Sequence, residues 1–187
     1  MWTTSDFRKG LKIEIDGVPY VIVDFQHVKP GKGTAFVRTR IKNMITGQLI
    51  EPTFRSGDKV KRPDLLETKM QYLYSDGDTC HFMDTKSYEQ AEIPREILGE
   101  ASDYLIENLE ISAIFFNGQP IGVDVPNFVE LKIIRCEPGA RGDTVSGAQK
   151  PATVETGAIF YVPLFVNEGE TIRVDTRDRS YVERVSK

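Results

Sequence analysis

Turn signals recur along this chain at short intervals. Asp16-Gly17, Pro30-Gly31, Thr46-Gly47, Asp76-Gly77 and Asn117-Gly118 each separate runs rich in Val, Ile, Thr and aromatic residues. Runs this short, closed by dipeptides that favour tight reversals, confine most of the chain to short antiparallel strands. Strands are expected over 11–15, 20–28, 34–41 and 48–54, then over 67–74, 79–84 and 87–93. A second set is expected over 109–116, 119–125, 128–136, 152–154, 158–166, 171–175 and 181–185.

One helix interrupts them. Pro94 suits a first helical turn, and Ile97, Ala101, Tyr104 and Leu105 recur at helical spacing over 95–108, with Gly99 weakening the pattern. The expected fold is therefore all-β, in three barrel-like modules of roughly sixty residues each. Their bounds fall at 1–64, 65–127 and 128–187, with Pro126-Asn127 as the second junction. About five strands in each of the last two modules suit small OB-like Greek-key barrels, whose closure removes exposed edges. A single large sandwich, or one barrel with a sandwich, stays open at this level.

Bulk properties narrow the function. The 187 residues are 40% hydrophobic and 28% charged, which suits a soluble globular chain. The start, MWTTSDFRKG, has no apolar core of signal-peptide length, and the apolar run 158–166 is short and holds Pro163. No membrane segment is expected. Cys80 and Cys136 are far apart without metal-like spacing, which fits small buried thiols in a reducing cytoplasm.

The net charge of −4 hides an asymmetry. Residues 1–63 hold 12 Lys and Arg against 6 Asp and Glu, a net of +6, leaving 12 against 22 for the remainder. Residues 25–50 contain no acid at all while carrying Lys29, Lys32, Arg38, Arg40 and Lys42. That basic stretch is the candidate polyanion-binding surface.

Within it, strands 20–28 and 34–41 pair as a hairpin arm roughly 30 Å long. Its tip is Lys29-Pro30-Gly31-Lys32-Gly33. Proline fixes its own φ, and the glycines allow left-handed backbone and leave Lys32 unshielded at the apex. The segment is not a phosphate-binding P-loop, because Gly33 separates Lys32 from Thr34 and a strand follows rather than a helix. The tip suits close approach to a polyanion, or presentation of the lysine to a modifying enzyme.

Signs of catalysis are absent from the sequence. His81 adjoins Cys80 on a strand, where neighbours point to opposite faces, so they do not make a base and nucleophile. His27 lies on the arm as a surface or RNA-facing residue. Asp76-Gly77-Asp78 lacks the further ligands of a calcium loop. No enzyme activity, metal or cofactor is expected. The loop over 138–151 is long for a compact barrel and is a candidate binding element.

Several long segments carry a resemblance that covers the chain nearly end to end: DFRKGLKIEIDG, VKPGKGTAFVR, YLYSDGDTCHFMD, NGQPIGVDVPNFVEL and GDTVSGAQKPATVETGAIFYVPLFVNEGE. The chain resembles the bacterial translation elongation factor P family. That resemblance implies an N-terminal SH3-like (KOW-type) barrel followed by two OB-fold barrels in an L-shaped, tRNA-mimicking arrangement. It implies a cytoplasmic monomer that binds the 70S ribosome between the P and E sites, touching ribosomal RNA and the P-site peptidyl-tRNA. There the loop lysine points to the peptidyl transferase centre and relieves stalling at consecutive prolines.

Lys32 occupies the position that the family modifies. Arginine members are glycosylated and lysine members bear a β-lysyl or aminopentanol-type extension, so lysine here argues against the sugar route and implies a Lys32-modifying enzyme. The resemblance further assigns Gly142, Asp143 and Thr144 to the small subunit and E-site codon, and gives Tyr181 and Arg184 a supporting role. A general single-stranded RNA-binding OB protein is the alternative, which would use aromatic platforms on its barrel faces.

Overall fold

The structure, a computed structural model, describes residues 1–139 and 148–185. It is all-β, as the turn spacing requires. The first module carries β1 (Trp2–Thr3), β2 (Lys12–Ile15), β3 (Val18–Val28), β4 (Phe36–Asn43), β5 (Leu49–Ile50), β6 (Thr53–Arg55) and β7 (Lys59–Val60). Strands β2-β3-β4-β5 are neighbours in order, β6 also pairs with β4, and β1 pairs with β7. Alternate residues of β4 explain the core: Val37, Thr39 and Ile41 are buried while Arg38, Arg40 and Lys42 face solvent. Phe7, Leu11, Ile13, Ile22 and Val60 complete the inside, with Phe54 set edge-on to Phe7 at 5.4 Å.

The strand expected over 48–54 is two short strands. Pro52 has no N–H to give to the ladder, so pairing stops at Ile50 and resumes at Thr53. Thr39 fills the gap from the facing strand, its amide and hydroxyl donating to the Pro52 carbonyl at 3.2 and 2.6 Å. Thr39→Val keeps the shape but removes the hydroxyl donor, leaving the weaker amide bond alone. The expected cost is about 1 kcal/mol of folding stability, read from urea denaturation midpoints; no change would show that the hydroxyl bond contributes nothing.

The middle sheet runs β10-β9-β8-β11-β12. Its strands are β8 (Leu65–Asp76), β9 (Thr79–Asp84), β10 (Gln90–Pro94), β11 (Glu110–Phe116) and β12 (Gln119–Asp124). The helix expected over 95–108 is α1 (Arg95–Leu98) followed by a 3₁₀ segment, Gly99–Tyr104. Gly99 sits at φ 56°, outside helical backbone, and this ends α1 after one turn. Pro94 closes β10 opposite Thr79 rather than opening the helix interior.

The last sheet runs β15-β14-β13-β16-β17. It comprises β13 (Phe128–Cys136), β14 (Gln149–Val154), β15 (Ile159–Pro163), β16 (Thr171–Asp175) and β17 (Ser180–Val185). β14 starts earlier than expected and includes Pro151. β13 pairs with β14 only as far as Ala152 opposite Cys136, so Pro151 has a ladder partner on one side alone. On the outer face Arg173 bridges Glu130 and Glu183 from the strands either side of it.

Two compact units emerge. One is Met1–Glu67 with Ile114–Gly122; the other is Thr68–Ala113 with Val123 onward. Tyr104 explains the extent of the second, because its ring leaves the 3₁₀ segment and joins the core of the last sheet with Leu131, Ile133, Val154, Phe160 and Ile172. Beside it Asp103 meets Arg179 at 2.7 Å and its carbonyl accepts from the Thr156 hydroxyl at 2.7 Å. Among the described residues no helix is long and apolar enough to cross a membrane.

Candidate functional site

Strands β3 and β4 pair, past a bulge between Ile22 and Asp24, as far as Val28 opposite Phe36, which leaves Lys29 to Ala35 as a seven-residue loop. The loop is longer than the five-residue tip expected, because β4 begins at Phe36 rather than Thr34. Lys29, Gly31, Lys32 and Gly33 are exposed and Pro30 is half-buried. Gly33 lies at φ 106°, a conformation that a side chain resists, whereas a Cβ there would meet only Pro30 Cγ at 3.9 Å. Backbone freedom, not lack of room, is what position 33 demands. Gly31 is not in the left-handed region.

Behind the tip, Arg38, Arg40 and Lys42 form a row on the outward face of β4. Arg38 lies over the Phe36 ring at 5.5 Å, which pre-orders its guanidinium. A shallow groove of about 500 Å³ runs along this face, lined by Asp24, Gln26, Arg38, Arg40, Glu51 and Thr53. Pairing brings in two acids that lie just outside the acid-free window: Asp24 sits opposite Arg40 in register, and Glu51 lies 3.9 Å from it. Arg40 is therefore partly compensated. Lys29, Lys32, Arg38 and Lys42 form none of the ion pairs found among the described residues.

Gly142, Asp143 and Thr144 lie outside the described residues. The strands that lead to and from their loop are held by a residue that sequence reading missed. Lys150 is buried, and its ammonium donates to the Glu137 carbonyl at 2.7 Å. Nothing in the pattern flagged it, since a lysine in a strand reads as outward-facing. Tyr181 is half-buried against the last core, and burial pushes its phenol above the ordinary value. Arg184 is exposed, lying over the Phe165 ring at 4.8 Å and 3.4 Å from the Glu170 carboxylate. Tyr181 and Arg184 thus share β17 but differ in environment.

The remaining candidates behave as chemistry of the strands suggests. Cys80 is fully buried, while His81 turns the other way, stacks on Tyr74 at 4.3 Å and lies 3.8 Å from Glu92. His27 is exposed and edge-on to Phe25 at 5.6 Å. Among the described residues no group of three potential ligands gathers to hold a metal. The site is therefore an exposed, basic arm with a glycine in left-handed backbone at its tip.

Comparison with known proteins gives this arm its context. The family model described as "Elongation factor P (EF-P) KOW-like domain" matches residues 3–60, the "Elongation factor P (EF-P) OB domain" matches 65–123, and "Elongation factor P, C-terminal" matches 129–184. The chain belongs to the elongation factor P family. An elongation factor P from Campylobacter fetus is 52% identical over 186 residues, covering 100% of this chain and 98% of that protein. One from Moorella thermoacetica is 52% identical over 184 residues, covering 98% and 100%.

Among solved structures, a eukaryotic translation initiation factor 5A from Methanococcus jannaschii is similar, at 29% identity with a TM-score of 0.56, covering 67% of this chain and 90% of that one. Membership in the elongation factor P family makes this chain a translation elongation factor rather than an enzyme in itself, and makes the ribosome its partner. The KOW-like and OB assignments agree with the all-β fold expected from sequence.

Proposed function

We propose that this elongation factor P family member binds the ribosome between the P and E sites and holds Lys32 toward the peptidyl transferase centre, relieving stalling at consecutive prolines. The observation that carries this is the exposed Lys32 at the end of the β3–β4 arm, beside a glycine held at φ 106°. Proline constrains the nascent chain through its fixed φ. A bound factor that orders the peptidyl-tRNA lowers the entropic part of the barrier, and the chemistry stays with the ribosome.

Lys29, Pro30, Gly31 and Gly33 let the tip enter a narrow crevice, while Arg38, Arg40 and Lys42 meet tRNA and ribosomal RNA phosphates. Lys32 carries an extension added by a modifying enzyme, which lengthens its reach. Gly142, Asp143 and Thr144 face the small subunit, and Tyr181 and Arg184 support that end. The chain acts as a cytoplasmic monomer without a cofactor, its three modules spanning 1–64, 65–127 and 128–187.

The test is synthesis of a peptide with three consecutive prolines in a reconstituted translation system lacking the factor, supplemented with protein from its native source. Faster synthesis across the prolines, with no effect on a proline-free peptide, is the expected result. No acceleration while ribosome binding persists would leave a ribosome-associated RNA-binding module and remove the role given to Lys32.

A further inference from the structure

A second basic surface lies at the foot of the first module, away from the hairpin tip. β1 pairs with β7, placing Trp2 opposite Val60 and Thr3 opposite Lys59, and Glu14 of β2 bridges to Lys61. The indole N–H of Trp2 donates to the Lys12 carbonyl at 3.1 Å, fixing the ring. The Arg62 guanidinium lies over that ring at 3.7 Å, with Arg8 at 6.0 Å. Arg8, Lys12, Lys59, Lys61 and Arg62 are all exposed. Lys12 and Lys42 both pair with Val21, one from each side of β3, so this patch adjoins the near end of the β4 row, while Arg38, opposite Gln26, lies five positions further along, roughly 17 Å away.

The cations there are only partly compensated. Asp6, Glu14 and Asp58 belong to the same surface, and the Asp58 carboxylate accepts from the Arg55 amide at 2.8 Å. The Asp6 carboxylate is taken up by the Thr3 amide at 2.8 Å and the Thr3 hydroxyl at 3.1 Å. Those hydrogen bonds, the Thr3 amide first, together with the nearby Arg62 and Arg8 charges, hold it below the ordinary carboxylate range. None of the five cations forms an ion pair among the described residues, although Lys9 next to them pairs with Asp24 at 3.7 Å. Five like charges with so little internal use repel one another, and an external polyanion relieves that repulsion.

The covered indole decides which polyanion surface fits. A ring lying under a guanidinium is not an open platform for a nucleobase, so recognition by stacking on single-stranded RNA is disfavoured. Trp2 acts instead as a shelf that orders Arg62. Ordered guanidinium and mobile ammonium groups suit phosphate oxygens, which position a protein without reading sequence. Double-helical RNA presents its backbone in this way while keeping its bases stacked.

We propose that Arg8, Lys12, Lys59, Lys61 and Arg62, organised around Trp2, form a second contact surface for the phosphate backbone of double-helical RNA. It rests on the proposed ribosome binding and adds a site that the hairpin reading does not contain. The test compares wild type with Arg8→Gln/Lys61→Gln/Arg62→Gln. Affinity is measured across salt concentrations for two probes, an RNA duplex of unrelated sequence and 70S ribosomes carrying P-site tRNA. Lys69→Gln/Lys86→Gln/Arg95→Gln, with the same change in net charge, serves as control.

The expected result is that log K against log salt becomes shallower by about 2 for the first variant on both probes, since each phosphate contact contributes roughly 0.7 to 0.9, and that the control keeps the wild-type slope. Trp2 fluorescence should also change on duplex binding. Equal loss in both triple variants, or an unchanged slope in the first, overturns the proposal, with circular dichroism melts confirming that each variant is folded. Failure of wild type to bind ribosomes would sink the proposed function, while the duplex titration would still decide this surface.

Discussion

Lys32→Ala is expected to return synthesis across three consecutive prolines to near the factor-free rate while leaving ribosome binding largely intact. The two effects separate because Lys32 has two possible contributions of different size. As a phosphate contact it is one cation among many, and its loss makes the salt dependence of binding shallower by only about 0.7 to 0.9. As the residue that reaches the reacting ends it is alone, standing exposed in the loop beyond Val28 and Phe36 with the charged row of β4 behind it. A loss of tenfold in rate corresponds to about 1.4 kcal/mol of barrier, well within what positioning supplies.

Lys32→Arg sharpens the test. It keeps the charge but removes the amine that an acylating or alkylating enzyme would extend, so it should be nearly as defective as alanine. Full activity of the arginine variant would mean that charge alone suffices. Full activity of the alanine variant would remove the reading of the arm altogether.

The arm was legible in the sequence because both of its determinants are local. Alternation along β4 and glycine and proline at the tip each act over a few residues. What escaped was non-local. Arg40 looked uncompensated because Asp24 and Glu51 flank the acid-free window and return only through strand pairing. Trp2 and Arg62 are sixty positions apart and meet only because two-residue strands, too short to leave a periodic signal, pair at the module's foot.

Pro52 did carry a signal that its strand would break, yet the hydroxyl of Thr39 that closes the gap could not be foreseen. Lys150 was invisible for a different reason. Lysine side chains are mostly exposed, and among the described residues it is the nearby Glu137 carbonyl that makes burial of this one acceptable. For Gly142, Asp143 and Thr144 the resemblance remains the source of the assignment.

Tyr104 shows the same limit, and it carries the second large effect. Its helical spacing with Ile97, Ala101 and Leu105 carries no information on which sheet it packs against, and the ring is 2% exposed in the core of the last sheet. The ring packs on Phe160 at 5.7 Å, and Arg179 covers Phe160 at 4.7 Å while pairing with Asp103. Tyr104→Ala empties that position and is expected to cost about 3 to 5 kcal/mol, in line with loss of a large aromatic from a packed core.

Tyr104→Phe should behave differently. The hydroxyl is buried and makes no well-aligned hydrogen bond among the described residues, and burial raises its pKa above the ordinary value against the opposing pull of the nearby Arg179 guanidinium. Removing a polar atom that is already unsatisfied saves its desolvation cost, so stability should stay level or rise by roughly 1 kcal/mol. Far-ultraviolet circular dichroism in guanidinium measures both variants, and fluorescence of Trp2, the chain's only tryptophan, follows the first module separately. Tyr104→Ala should shift the first signal and spare the second. If Tyr104→Phe proves as damaging as alanine, the hydroxyl has a partner in solution, and the phenol rather than the ring is what holds the second unit together.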